Sequence, residues 1–267
     1  MSDERARLLA AYDEQLRTHA EAQGAQAMDR LGPLWLVKNA GGRGFITYRD
    51  LGGADAEEVR KLVAAALAHY RADPSITMIE WKTRGHDHAP GLHEALLEHD
   101  FTPEEPESIM IGEAAALAVE VPLPDGVTLR RVEDDEGLLR FCEVEAAVFE
   151  IDTAPMLQIL RSRLPDDDLL EIWIAEADGV AVSGGRLELV RDTEFAGIWG
   201  GATLPGWRGR GIYRALTAAR ARSAVRLGRT LINSDSTEDS RPILERYGFV
   251  KVSTTTPYSQ TLRPRPE

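Results

Sequence analysis

The chain has 267 residues, 43% of them hydrophobic, enough to bury a substantial core and to fill two domains. A formal net charge of −13 excludes a general nucleic-acid binder, because neutralising phosphates needs a basic face, and suits a cationic, amine-bearing substrate better. Cys142 is the only cysteine, which excludes an internal disulfide and a multi-cysteine zinc cage.

From the N-terminus, Leu8, Leu9, Tyr12, Leu16 and Ala20 recur at helical spacing, which predicts one long amphipathic helix over residues 3–30, ended by Gly32-Pro33. Residues 34–38 and 44–48 read as two strands around the turn Asn39-Ala40-Gly41-Gly42. A helix at about 55–72 follows, then a strand at 75–82, a short helix at 90–99 and a strand at 107–112. Val121-Pro122-Leu123-Pro124-Asp125-Gly126 breaks both helix and strand and is the expected linker, dividing a domain at 1–120 from one at 127–267. Beyond it the pattern predicts a strand at 127–132, helices at 133–149 and 154–164, and a loop at Pro165-Asp166-Asp167-Asp168. Strands at 169–177 and 180–189 should pair across the favoured hairpin turn Asp178-Gly179. A strand at 195–203, a helix at 212–227, a strand at 231–235, a helix at 240–247 and a last strand pair from 248 to about 262 complete the pattern. Strands flanked by helices predict an α/β fold with a mixed, mostly antiparallel sheet.

The most informative stretch is the passage from strand to helix between Ala202 and Leu216. Gly209 and Gly211 allow close approach to a ligand, and the amides opening the next helix carry the partial positive charge that attracts an anion such as a pyrophosphate. Neither a P-loop nor a Gly-x-Gly-x-x-Gly fingerprint is present, since position 214 is Arg. Arg208 and Arg210 beside bare amides call for a negative partner.

What remains is Pro205-x-x-Arg208-x-x-Gly211, followed by an Ala- and Arg-rich helix and then Ile243-Leu244-Glu245-Arg246-Tyr247-Gly248-Phe249. This resembles the GNAT superfamily of acyl-CoA-dependent acyltransferases, whose signature is Gln/Arg-x-x-Gly-x-Gly/Ala with a Gly-Phe closing the last core helix. Arg208 and Gly211 fit, and Tyr213 replaces the final Gly/Ala. The likeness covers roughly residues 127–262. The first half resembles a degenerate GNAT-like domain in which Asp100 stands where a glycine precedes Phe101 and which has no acyl-CoA loop; its expected role is structural. The fold implied is thus GNAT in tandem.

The resemblance implies that an acceptor amine attacks the thioester of acetyl-CoA directly, proximity supplying most of the catalysis. Gly201, Ala202, Thr203 and Leu204 would offer backbone amides to the pantetheine arm and the oxyanion. Arg208, Gly209, Arg210, Gly211, Ile212 and Tyr213 would bind the pyrophosphate, and Arg210 or Arg214 the ribose phosphate. Arg220, Arg222 and Arg226 read as solvated helix surface. The family's acid position falls on Leu244 and its base position on Gly197, so neither role carries over. Substitute bases are Glu194, Glu150 and Asp152, with Asp235 and Ser234 beside the loop; Tyr213 and Tyr258, or a water chain, are the candidate acids, and Tyr247 reads as packing.

Two rival readings stand beside the enzyme. One is a silent acyl-CoA-binding sensor or partner protein. The other is a metal-binding module at His86, Asp87, His88, His93, Glu94 and His99, although 93 and 99 face different directions on a helix and the expectation is that no metal is held. Asp166-Asp167-Asp168 lacks the spacing of a calcium loop. No run of about 18 apolar residues occurs and the start is not a signal-peptide pattern. A cytoplasmic protein with a small-molecule or peptide amine as partner, without nucleic acid or membrane, is expected; the resemblance also allows a homodimer.

Overall fold

The computed structural model describes residues 2–164 and 168–262. Its elements are α1 (Ser2–Gln15), β1 (Ala27–Leu31), β2 (Leu34–Asn39), β3 (Arg43–Thr47), α2 (Ala56–Ala72), β4 (Met78–Arg84), α3 (Leu92–Glu98), β5 (Thr102–Pro103), β6 (Glu107–Glu113) and α4 (Ala114–Leu117). They continue with β7 (Val127–Arg131), α5 (Asp135–Phe149), α6 (Ala154–Arg163), β8 (Leu170–Ala177), β9 (Val180–Leu189), β10 (Phe195–Thr203), α7 (Ile212–Arg226), β11 (Leu231–Ser236), α8 (Arg241–Tyr247) and β12 (Val250–Thr261).

Two compact units result, neither a continuous segment. One comprises residues up to Ile109, Asp235–Arg241 and the chain from Lys251; the other comprises Met110–Ser234 and Pro242–Val250. Residues 121–126 thus lie inside the second unit.

In the first unit the strand order is β1-β2-β3-β4-β12, with β3 and β4 parallel and the other pairs antiparallel. Crossover helix α2 makes the parallel pair possible. It starts on a capping box of Asp55 and Glu58 and buries Val59, Val63, Ala66, Leu67 and Tyr70, a helical stripe packed against Leu36, Ile46, Ile79 and Trp81. In the second unit the order is β11-β10-β9-β8-β7, with only β10 and β11 parallel, joined through α7. Asp178 and Gly179 turn from β8 to β9 with φ of 50° and 78°, both positive as a tight hairpin turn requires. The mixed, mostly antiparallel α/β sheet is therefore observed.

Two expected elements are corrected. Residues 3–30 do not form one helix: α1 stops at Gln15, Thr18 caps a short 3-10 turn at His19–Ala22, Gly24 takes φ 83°, and β1 pairs with β2. The helical spacing ends at Ala20, and the β1 amides find their partners across a sheet edge. The region after Gly248 is one strand rather than a pair, since no turn interrupts Val250–Thr261 and Pro257 sits in register opposite Lys82. Pro165, Asp166 and Asp167 of the expected loop lie outside the described residues.

Candidate functional site

β10 carries Gly197, Gly200 and Gly201, and it opens at both edges. Its antiparallel register with β9 shifts between Trp199 and Ala202, where Gly200 has φ 58°, a β-bulge that only a residue without a Cβ adopts easily. Its parallel pairing with β11 covers only Phe195, Ala196 and Gly197, ending opposite Asn233. Beyond Gly197 the two strands part. Asn233 is buried at the fork and its Oδ1 has no hydrogen-bond partner.

The four residues expected to offer amides are not equivalent. The Leu204 amide donates to the Val182 carbonyl at 2.9 Å, so it is already taken, which corrects the expectation for that residue. Ala202 pairs with Gly184 in the same ladder and shares that direction, whereas Thr203 between them points its amide away from β9. Thr203 anchors the strand end by its hydroxyl, 2.8 Å from the Ser183 hydroxyl.

The loop after β10 begins with a 3-10 turn, Pro205–Trp207, and reaches α7 through Gly209 (φ 74°) and Gly211 (φ 82°). Gly211 is the N-cap and provides no side-chain bond, so the first amides of the 15-residue helix have no protein partner on that side. A Cβ at Gly209 would meet nothing within 4 Å, and one at Gly211 only the Pro122 carbonyl at 4.0 Å. The front of the helix is open. Arg208 donates from Nε to the Thr203 carbonyl at 3.0 Å, bracing the loop. Arg210 lies over the Trp207 ring at 4.8 Å and Arg214 over Tyr247 at 5.5 Å, which holds two cations beside the bare amides.

The bulge is flanked by two ionisable side chains. A Cβ built on Gly200 would stand 1.8 Å from Oε1 of Glu145, and one on Gly201 would stand 2.7 Å from Cε2 and 3.1 Å from the hydroxyl of Tyr213. Glu145 comes from α5, is 3% exposed, and its Oε1 has no hydrogen-bond partner. Burial pushes its carboxyl up to about 7, against the opposing pull of the Arg186 and Arg220 guanidinium groups. Burial likewise raises the Tyr213 phenol. Arg220 is a further correction: it is not solvated but 1% exposed, with Nη1 donating to the Arg186 carbonyl at 3.0 Å and Nε to the Leu216 carbonyl at 3.3 Å. Arg222 does stay at the surface, donating to the Val119 carbonyl, and Arg226 meets Glu171.

The other candidate catalysts are elsewhere. Glu194 is exposed and takes a hydrogen bond from the Thr230 hydroxyl. Glu150 is the left-handed C-cap of α5, and Asp152 is exposed and accepts from the Ala154 amide. Asp235 pairs with Lys82 at 2.7 Å within the first unit, where Tyr258 also lies, 2.8 Å from His93 Nδ1. His86 is held between the Ser253 hydroxyl and Asp13. Among the described residues no three His, Cys, Asp or Glu side chains converge on a metal position. Nor is any described helix long and apolar enough to cross a membrane.

Of Glu194, Glu150, Asp152, Asp235, Tyr213 and Tyr258, Tyr213 alone adjoins the bulge, and Glu145 was missed. Its signal was present: with Leu138, Phe141 and Cys142 it completes the buried stripe of α5, a carboxylate on an apolar face.

Residues 138–249 match the Acetyltransferase (GNAT) family. No curated protein matches the chain by sequence. Among solved structures, the chain is similar to a GCN5-related N-acetyltransferase from Kribbella flavida, at TM-score 0.68 and 20% identity over 90% of this chain and 93% of that one. A functionally unknown conserved protein from Staphylococcus epidermidis matches at TM-score 0.69 and 14% identity, over 91% and 97%. A tandem GNAT protein from the clavulanic acid biosynthesis pathway matches at 0.60 and 15%, over 87% and 79%. At these identities it is the fold that is shared. Residues 138–249 thus match the Acetyltransferase (GNAT) family, and the chain shares the fold of these solved structures, a tandem GNAT protein among them.

Proposed function

We propose that the second unit transfers an acetyl group from acetyl-CoA to a primary amine by direct attack in a ternary complex. The observation that carries this reading is the open strand-to-helix passage: bare amides at α7 with Arg208, Arg210 and Arg214 around them, next to a strand edge that has parted from β11. The pyrophosphate would meet the amides of residues 211–214, and the pantetheine arm would lie along the free edge of β10, where the Asn233 Oδ1 awaits a donor. The Thr203 amide, pointing into that cleft, would stabilise the thioester oxygen as it gains charge, at about 3 kcal/mol for a well-placed donor. Tyr213 would return a proton to the departing sulfur. An acidic chain, net −13, favours a cationic acceptor.

Calorimetric titration with acetyl-CoA tests the grip: saturable, one-to-one binding is expected, and no binding would sink the reading. Thiol release from acetyl-CoA, measured against a panel of 1,4-diaminobutane, lysine amide and an aminoglycoside, tests transfer. The silent binder has its own support, since Gly197 and Leu244 occupy the family's base and acid positions; binding with no acceptor-dependent release would favour it.

A further inference from the structure

We infer that Glu145 is the proton acceptor of the transfer site, holding the acceptor's ammonium against the β10 bulge and deprotonating it. This rests on the transferase reading above and adds to it the base that the strand itself lacks.

Three observations converge. First, the carboxylate fills the volume that a side chain at position 200 would occupy, so Gly200 and Glu145 are fitted to each other at the point where β10 leaves its regular ladder. Second, Oε1 is buried and unpartnered although the side chain is 3% exposed. A carboxyl retained for structure alone would be hydrogen-bonded; an unsatisfied one destabilises the fold, and a leucine at this place on the apolar stripe of α5 would pack without that cost. Third, the β-bulge, where Gly200 takes the left-handed φ of 58° that glycine adopts without strain, falls on the same spot. An unpaired buried carboxyl at a break in the strand ladder, with the Tyr213 phenol against Gly201 on the opposite face of β10, is the mark of a working site rather than of packing.

The charged and titratable groups around Glu145 are Arg186 of β9, Arg220 of α7 and Cys142 of α5 itself. Arg186 donates from Nη1 to Glu188 and Arg220 donates to backbone carbonyls, while the buried Arg186 Nε has no partner. They bring a carboxylate within reach at neutral pH without capping it. The step balances simply. The ammonium gives one proton to Glu145, and the freed nitrogen lone pair attacks the thioester carbonyl carbon. As the C–N bond forms the C–S bond breaks, and sulfur leaves with the bonding pair and takes the Tyr213 hydroxyl proton, which the second nitrogen-bound proton then replaces. Glu145 then returns its proton to solvent.

The test uses the full chain and Glu145→Gln, titrated with acetyl-CoA at pH 7 in two buffers of different ionisation enthalpy, which counts the protons exchanged on binding. The wild type should take up a fraction of a proton as the polyanionic coenzyme binds beside a carboxyl that is partly ionised at pH 7. The variant should bind acetyl-CoA within about 3-fold of wild type and lose that uptake. With any amine of the panel that releases thiol, the variant should lose about 100-fold in kcat/KM for the amine and the limb of the pH profile near 7. Equal proton counts in the two proteins, or an unchanged pH profile, would overturn the assignment. Failure of the wild type to bind acetyl-CoA would instead sink the transferase reading itself.

Discussion

Each unit contains a strand that runs through a glycine-containing turn into a helix, β4 to α3 in the first and β10 to α7 in the second, and the two are built to opposite ends. β4 is zipped along both edges, to β3 over Met78–Trp81 and to β12 over all of Met78–Arg84. The turn after it is stitched down by His86 on Ser253 and Asp13 and by Arg17 on Asp87. Gly91 caps α3, but a Cβ there would stand 2.9 Å from that of Ala56, and the helix has only seven residues. β10 pairs with β11 over three residues, is bulged against β9, and its glycine turn faces open space. A positive-φ glycine before a helix is common to both, so it is not what makes an anion grip. The grip needs amides left without protein partners and a strand edge left unzipped.

The closed character of the first unit is also electrostatic. Glu21 accepts from Thr47 at 2.5 Å, pairs with Lys82 at 3.2 Å, and meets the fully buried Arg84. The guanidinium of Arg84 and the ammonium of Lys82 hold its carboxyl down at about 2 despite burial. Glu21→Ala should therefore have the largest effect, a loss of about 3–5 kcal/mol in chemical denaturation, because it strands the buried Arg84 guanidinium and leaves Lys82 with Asp235 alone. Acetyl-CoA affinity should hold in the folded fraction; a loss of affinity equal to that of a loop variant would break the division of labour.

Glu145 gives the opposite pH behaviour in the second unit. Its carboxyl is raised from the usual carboxylate range to about 7, so its contribution to stability is complete below about 4.5 and is lost as pH rises through about 7. Glu145→Gln should be flat over that window and, by pH 8, more stable than wild type by on the order of 3 kcal/mol. Parallel stability curves for the two proteins from pH 4.5 to 8 would show that the carboxyl is not perturbed.

Gly211→Glu should raise the Kd for acetyl-CoA at least 100-fold, since it places a carboxylate at the mouth of the grip. The φ of 82° adds backbone strain of about 1–2 kcal/mol, so circular dichroism must show the fold intact. Unchanged affinity in a folded variant would dismantle the phosphate reading. The smallest change sharpens the contrast: Gly91→Ala has the same positive φ to overcome and the Ala56 contact as well, costing about 1–2 kcal/mol in stability, with no effect on acetyl-CoA binding.

Local chemistry was legible in the chain wherever it is self-contained. The Asp178-Gly179 hairpin, the capped stripe of α2 and the strand–glycine–helix passage at 202–216 follow from residue types a few positions apart. The α1 periodicity misled because it fades past Ala20 without a strong stop, and β1 is held by its register on β2 rather than by its own propensity. Arg220 looked like helix surface because a repeated Ala/Arg pattern does not say which arginine faces a strand.

By itself the sequence determined two α/β halves and one strand-to-helix passage that combines glycines, helix-opening amides and arginines, because these are properties of adjacent residues. Only tertiary structure decided which amides are free, that β4 is zipped and β10 parted, and that Glu145 from a helix more than fifty positions upstream fills the gap at Gly200. Those facts depend on which strands pair and on what a neighbouring element places in the space a glycine leaves, and no spacing along the chain encodes them.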